Sequence, residues 1–515
     1  MLSFSPLFDR RRFMQLAAGG VLATASAKEV FAQSKKQLRI AYGAIGADRH
    51  PFQLSITPDW DINALVFDSL ISLNSNGEPV AGTATAKIER PSPVTIRLTL
   101  KPGIQFSNGE PLGAADVKTS METYLRPEVL NSYLYTPWLE RVEIVDDLTV
   151  DLISKRPFRI ALGYMAYQSF IIPRTATDLQ QFSRAPIGSG PFIIAETESS
   201  NRILLRRNQK YTRKQPGFEE ILLRKIPEDS TRVAALLAKE VDFASSVRVE
   251  DVQAIRSMGG SIDELSTLRM MFVRFNMSFD SPLRDVRVRK AINHAVDRVA
   301  IQEAFYGGRG AIAKAPVASG TRFFAEGLEP YSFDLAKARK LMAEAGHSSG
   351  FSMKLATPMG RYYRDREIAE AIAGQVQQIG VNLEIVPMEW ATYLQRVRTE
   401  WQTTGKEYGL SLMAWGNPTQ DADFGVIPFD TVSNAWNIQG YKNERVQELM
   451  TLGRTEFDPT KLKAIYDELQ SRIWDDAPWL FLFEMPIING MSGNLSGVRQ
   501  NRTETMDWIN AQPAK

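Results

Sequence analysis

The chain has 515 residues, an apolar fraction of 44%, and 61 basic against 59 acidic side chains for a formal charge of +2. That length suits two or three globular domains at about 150 residues each, and the near-neutral balance excludes the strong basic footprint of a nucleic-acid binder. The complete lack of cysteine excludes disulfides, thiolate metal sites, iron–sulfur clusters, a cysteine nucleophile and a lipid-modified cysteine anchor.

The N-terminus reads as an export signal. Asp9-Arg10-Arg11-Arg12-Phe13-Met14-Gln15 resembles a twin-arginine motif, an uncharged stretch runs from Leu16 to Ala27, and Val30-Phe31-Ala32 offers a cleavage site. Residues 1–32 are therefore expected to be a twin-arginine signal peptide, and the rest to work in a bacterial periplasm without a lipid anchor. The apolar stretch falls short of the about 20 strongly apolar residues that span a bilayer. Arg10, Arg11, Arg12 and Lys28 against Asp9 and Glu29 carry the whole formal excess, so the mature chain is near neutral.

Strand and helix signals then alternate. Ile96, Leu98 and Leu100 alternate with Thr95, Arg97 and Thr99, which predicts a half-buried strand ended by Lys101-Pro102-Gly103. Further strands are predicted at Val150–Ile153, Ile203–Leu205 and Ile221–Leu223. Val288, Ile292, Ala295, Val296 and Val299 recur at helical spacing in a segment closed by Gly307-Gly308. Asp334 is placed to cap a helix carrying Leu335, Ala338, Leu341, Met342 and Ala345, with Gly346 supplying a left-handed end. The stripe Ile368, Ile372, Val376 and Ile379 stops at Gly380 and feeds a strand over Val381, Leu383 and Ile385, the unit of a layered α/β domain. A last long helix carries Leu462, Ile465, Tyr466, Leu469 and Ile473 before Ala477-Pro478. Periodicity thus describes a large exported α/β protein and names no ligand. His50, His294 and His347 lie too far apart for metal-ligand spacing, and no P-loop, dinucleotide glycine fingerprint, nucleophile elbow or zinc-helix motif occurs.

The landmarks between these elements carry a family resemblance. They are Leu65–Leu70 with Gly77–Gly82, Leu100–Leu112 with Ala115-Asp116-Val117, Pro186–Phe192, and Asn208-Gln209-Lys210-Tyr211, where Thr212 replaces an expected tryptophan. Asn276, Pro282–Ile292, Ala295–Arg298 and Asp334–Gly346 continue the series in order. Together they resemble family 5 extracellular solute-binding proteins, the receptors of peptide, opine and nickel ABC transporters. The resemblance implies a two-lobed α/β clamp with an extra subdomain in lobe I and a hinge between the lobes. Residues 33–71 would begin lobe I, 72–187 form the extra subdomain, 188–272 continue lobe I, 273–485 form lobe II, and 486–515 return to lobe I. The crossings would fall near Met270–Asn276 and Phe483–Ile488. A monomer that delivers its solute to membrane permease subunits is implied, with no catalysis, no cofactor and no nucleic-acid partner; an exported peptide-processing enzyme is the competing class.

The resemblance also implies site residues. In Ala414–Phe424, Trp415 and Gly416 open a loop whose first acidic residue pairs with the ligand's ammonium in dipeptide-binding relatives, here Asp421, with Asp423 two residues on. In Pro358–Asp365, Arg361 matches an arginine that clamps a ligand carboxylate, a bidentate task suited to its planar fork. Tyr362 and Tyr363 read equally well as pocket or core, and so do Trp390 and Trp436. The first loop offers Tyr42, His50, Phe52 and Trp60, the plainer reading of His50 being a neutral hydrogen-bonded side chain. Acid and arginine together suggest a zwitterion: a short peptide, a γ-linked peptide such as glutathione, or an opine. Sugar, haem and metal-chelate ligands remain open on the same fold.

Overall fold

A computed structural model describes residues 37–46, 49–53, 56–176, 178–198, 201–397, 408–432 and 436–514, so the signal read from residues 1–32 lies outside the described residues. The first strand, Gln37–Tyr42 (β1), buries Leu38 and Ile40 and leads to a helix, Thr57–Val66, whose Pro58 sits where a missing N–H costs nothing. Short strands Ile71–Leu73 (β2) and Pro79–Ala81 (β3) pair as a ribbon. Thr85–Ser92 (β4), Thr95–Leu100 (β5), Leu139–Asp146 (β6) and Thr149–Ser154 (β7) then form a separate antiparallel sheet in the order β4-β5-β7-β6. Its inner face is legible in β5, where Ile96, Leu98 and Leu100 are buried and the intervening threonines and Arg97 are not. Helix Ala114–Thr123 packs on β6 and β7, helix Ala161–Tyr167 on the β2–β3 ribbon, and the core is continuous with that of β1 and its neighbours.

A second, larger sheet unites the two halves of the molecule. It contains β1, Phe192–Glu198 (β8), Arg202–Arg207 (β9), Glu220–Lys225 (β10), Phe243–Ala244 (β11), Ser261–Phe275 (β12), Ala311–Ile312 (β13), Phe351–Pro358 (β14), Val381–Met388 (β15), Leu410–Trp415 (β16) and Trp479–Met491 (β17). The path runs β15-β14-β16-β12-β17-β11-β1-β10-β9-β8, with β13 on β17. Two long strands, β12 and β17, therefore belong to both halves. Ser261–Ser266 pair with Pro486–Met491 on the β11 side, while Met270–Arg274 pair with Trp479–Glu484 on the β16 side. Between them the ladder is interrupted at Thr267–Arg269. There Thr267 bonds across to Met485 O, and Leu268 N turns away to Arg502 O. Met270–Phe275, within the stretch expected at the crossing, are laddered to β16 beyond this break.

The helices of that second half follow the sequence closely, with one difference. The stripe from Val288 to Val299 is two helices, Val286–Ala295 and Arg298–Tyr306, because Asp297 accepts from Ala300 N and starts a new helix, leaving Val299 exposed. Asp334 caps Leu335–Glu344 through Lys337 N, and Gly346 and Gly380 take positive φ as expected of them. Helices Glu444–Thr455 and Pro459–Asp476 pack as a pair, the latter ending at Ala477, which also has positive φ.

Candidate functional site

The two halves enclose an outer cleft of about 700 Å³ and an inner chamber of about 130 Å³. Both are lined by Arg361 and Tyr362 from the second half and by Ile56 and Thr57 from the first. The inner chamber is walled by aromatic rings from every direction: Trp60 and Tyr167 on one side, Trp390, Trp415, Phe424 and Trp436 on the other.

Arg361 is positioned by a loop that the sequence explains. The carboxylate of Asp365 accepts the backbone N–H groups of Gly360, Arg361, Tyr362 and Arg366 at 3.2, 2.9, 3.0 and 2.9 Å, folding the segment into a tight cradle. Gly360 and Arg364 take positive φ within it. Burial raises the pKa of Asp365, and these four N–H groups oppose the rise. The Arg361 guanidinium lies 5.0 Å from the Tyr362 ring centroid and 5.2 Å from that of Trp390. Among the described residues no carboxylate lies within ion-pair distance of it, and its Nε is sealed from water without a partner. Burial lowers its pKa, and the nearby Arg269 adds to the lowering.

Arg269, by contrast, is fully matched. It sits in the interrupted part of β12 and meets Glu504 bidentately at 2.6 and 2.8 Å, with the Thr57 hydroxyl donating to the same carboxylate at 3.2 Å. Burial alone would lower Arg269 and raise Glu504; the pairing reverses both. Glu504 reaches this position from a C-terminal loop with φ +72°, in a turn braced by the Asn501 side chain. Gly416 is needed beside it, since a Cβ there would fall 2.8 Å from Arg269 Nη2.

The acidic anchors expected from the sequence are arranged differently. Asp421 lines neither chamber: Arg159, entering from the strand-rich insert, holds it bidentately at 2.7 and 3.0 Å, with side-chain exposures of 9% and 4%. Its Oδ1 also caps the short helix Ala422–Val426 through Asp423 N. Asp423 is fully buried, paired to Arg454 at 3.0 Å and bonded by the hydroxyls of Tyr466 and Tyr164. Arg454 also holds Asp430 at 2.6 Å. Burial pulls the pKa values of Arg159 and Arg454 down, and the aspartates more than reverse this. The physical reason for the difference is plain. A buried carboxylate needs a counter-charge, and here the chain supplies its own, for Asp421 from the opposite half through Arg159 and for Asp423 from the same half through Arg454. His50 is likewise in the core, packed on Phe52 and Phe182 with Nδ1 accepting from Phe52 N, and it lines neither chamber.

Phe52 is also in the core, against Tyr124, and the remaining expected residues do reach the cleft. Tyr42 lines its outer part, donating to Asp61 and accepting from the Trp508 indole. Trp60 lines the inner chamber with its N–H on Tyr167 O, and Trp415 does so with its N–H on Phe424 O and its ring 5.1 Å from Trp436. Arg159, Arg269, Asp61 and Glu504 carried no sequence signal. Each is defined by a partner far away in the chain.

A cleft between two lobes joined by two strands, walled by aromatics and holding Arg361 without an ion-pair partner among the described residues, defines the class of two-lobed solute-binding proteins. The chain belongs to the bacterial extracellular solute-binding proteins of family 5, whose middle-region profile matches residues 78–437. It is 24% identical over 499 residues to the glutathione-binding protein GsiB of Pectobacterium atrosepticum, covering 94% of this chain and 95% of that one. Among solved structures, the ABC transporter-associated periplasmic binding protein DppA from Helicobacter pylori, in complex with peptide STSA, has a TM-score of 0.83 at 20% identity, over 94% of this chain and 100% of that one. The dipeptide-binding protein from Pseudoalteromonas sp. SM9913, in complex with Met-Leu, has the same TM-score at 22% identity, over 93% and 100%.

Proposed function

We propose that the protein is a periplasmic receptor that captures a short peptide or amino-acid conjugate between its lobes and delivers it to an ABC importer by hinge closure, without chemistry on the ligand. The observation that carries this reading is Arg361. It is a half-buried guanidinium where the two chambers meet, with its Nε sealed from water and no carboxylate within ion-pair distance among the described residues, and it is open to a bound anion that would answer its charge. A ligand carboxylate in bidentate contact does so, and the surrounding rings supply apolar contact area. The names of the relatives, which bind glutathione or peptides, support the same solute class.

In this reading residues 1–32 are a twin-arginine signal removed on export. Residues 33–71, 188–272 and 486–515 form lobe I, 72–187 its extra subdomain, and 273–485 lobe II, with flexing concentrated at the break in the β12–β17 ladder. The protein acts as a monomer alongside membrane permease subunits. Thermal denaturation against dipeptides, tripeptides, glutathione, opines, sugars and metal chelates tests it. A ligand at 100 times its dissociation constant adds about 2.7 kcal/mol, a readable rise in melting temperature. A rise with carboxylate-bearing amino-acid compounds is expected. A rise with sugars or chelates alone would keep the receptor and discard the solute class.

A further inference from the structure

Every buried carboxylate at this site is already satisfied. In Glu504 both oxygens are held by Arg269, with Thr57 adding to one. In Asp61 they are taken by Tyr42 and Met506 N, and in Asp365 by four backbone N–H groups. Behind the chamber wall, Asp421 is neutralised by Arg159, and Asp423 by Arg454. Among the described residues that line the inner chamber there is no acidic side chain, while Arg269 and Arg361 both face it. The acids left at the outer mouth, Glu228, Asp229, Glu367 and Glu370, are at least partly in water, where an ion pair is worth little, and the last two are already paired with Arg364 and Arg366.

A carboxylate entering this site finds Arg361 unmatched. An ammonium carried into the inner chamber with it finds no acid there, loses its hydration, and lies in the field of Arg361, Arg269 being neutralised by Glu504. We propose that the receptor selects amino-acid carboxylates whose nitrogen carries no charge, such as N-acylated conjugates. The inner chamber, at about 130 Å³ with ringed walls, has room for one ring-sized apolar group of such a ligand. The inference rests on the proposed reading of the site as a receptor for short peptides and amino-acid conjugates and goes beyond it in naming the charge state of the ligand.

The test is a mixed dipeptide library supplied in free, N-acetylated, C-amidated and doubly blocked forms. The purified protein is incubated with it, separated by gel filtration, and the retained compounds are quantified by mass spectrometry. N-acetylated acids should be retained at least tenfold over their free-amine counterparts, and C-amidated forms should be lost. Equal or stronger retention of free-amine acids overturns the inference and leaves the proposed function standing. Retention of no dipeptide in any form overturns both.

Discussion

At Asp61, both carboxylate oxygens are hydrogen-bonded but no cation answers the charge among the described residues. Burial raises its pKa to about 8. The unfolded chain ionises this group near 4, so between these values the folded state holds one more proton. Its contribution to stability is therefore full below about pH 4 and is lost as pH rises through about 8. Asp61→Asn, which imitates the protonated form, should remove this slope. Denaturant unfolding at pH 5, 7 and 9 should show the variant gaining on the parent protein by a few kcal/mol at the alkaline end, and parallel pH profiles would count against the raised pKa. Arg361 gives the complementary case. Arg361→Ala should weaken binding of the solute by about 2–5 kcal/mol while changing unliganded stability little, since Arg361 is half-buried and has no ion-pair partner among the described residues to leave uncompensated. A stability loss without a binding loss would make Arg361 structural.

At the level of elements, the contact that matters is between the insert and the loop after β16. Arg159 and the helix Ala161–Tyr167 meet Asp421, Asp423 and Tyr466 across the cleft, through the Arg159 pair and the Tyr164 hydroxyl. Removing one member of a buried pair leaves the other uncompensated, typically at about 3–5 kcal/mol, although lobe opening would let water relieve part of it. Arg159→Met should therefore lower the melting temperature and increase the radius of gyration in small-angle scattering. Adding Asp421→Asn should restore part of the stability. Strict additivity of the two substitutions would show that the pair is not coupled. This contact also marks where sequence reading stops. Local signals were readable, as at Asp334 with its cap and Gly346 with its turn, because both cause and effect lie within a few residues. The Arg361 loop was singled out only through the family resemblance, and its cradle on Asp365, four residues away, was not read from the sequence. Asp421 could be seen as a candidate anchor, but its partner is 262 residues away, in the turn before helix Ala161–Tyr167, so nothing nearby announced that the charge was already matched. The split at Asp297 was missed for a different reason: apolar spacing continues through Val296 and Val299 and masks the cap.

For the whole molecule, closure is the property that turns a binding site into a delivery device, and the lack of cysteine makes it accessible to a direct experiment. A Cβ built at Gly163, on the insert helix, lies 3.9 Å from the Thr419 Cβ on the opposite half. That separation is typical of a disulfide. The nearest obstacle is Ile160 Cδ1 at 2.8 Å, the free end of a flexible side chain that can move aside. Gly163→Cys with Thr419→Cys should therefore oxidise to a bridge that pins the insert to the second half while leaving β12 and β17 untouched. If the lobes must part to admit solute, the oxidised protein without ligand should bind none, and a reducing agent should restore binding. If it is oxidised after loading, the solute should instead be retained, with dissociation slowed by orders of magnitude. A bridged protein that exchanged solute at the rate of the reduced one would mean that the cleft fills without separation of the lobes at this contact, and motion would have to be sought elsewhere along the β12–β17 ladder.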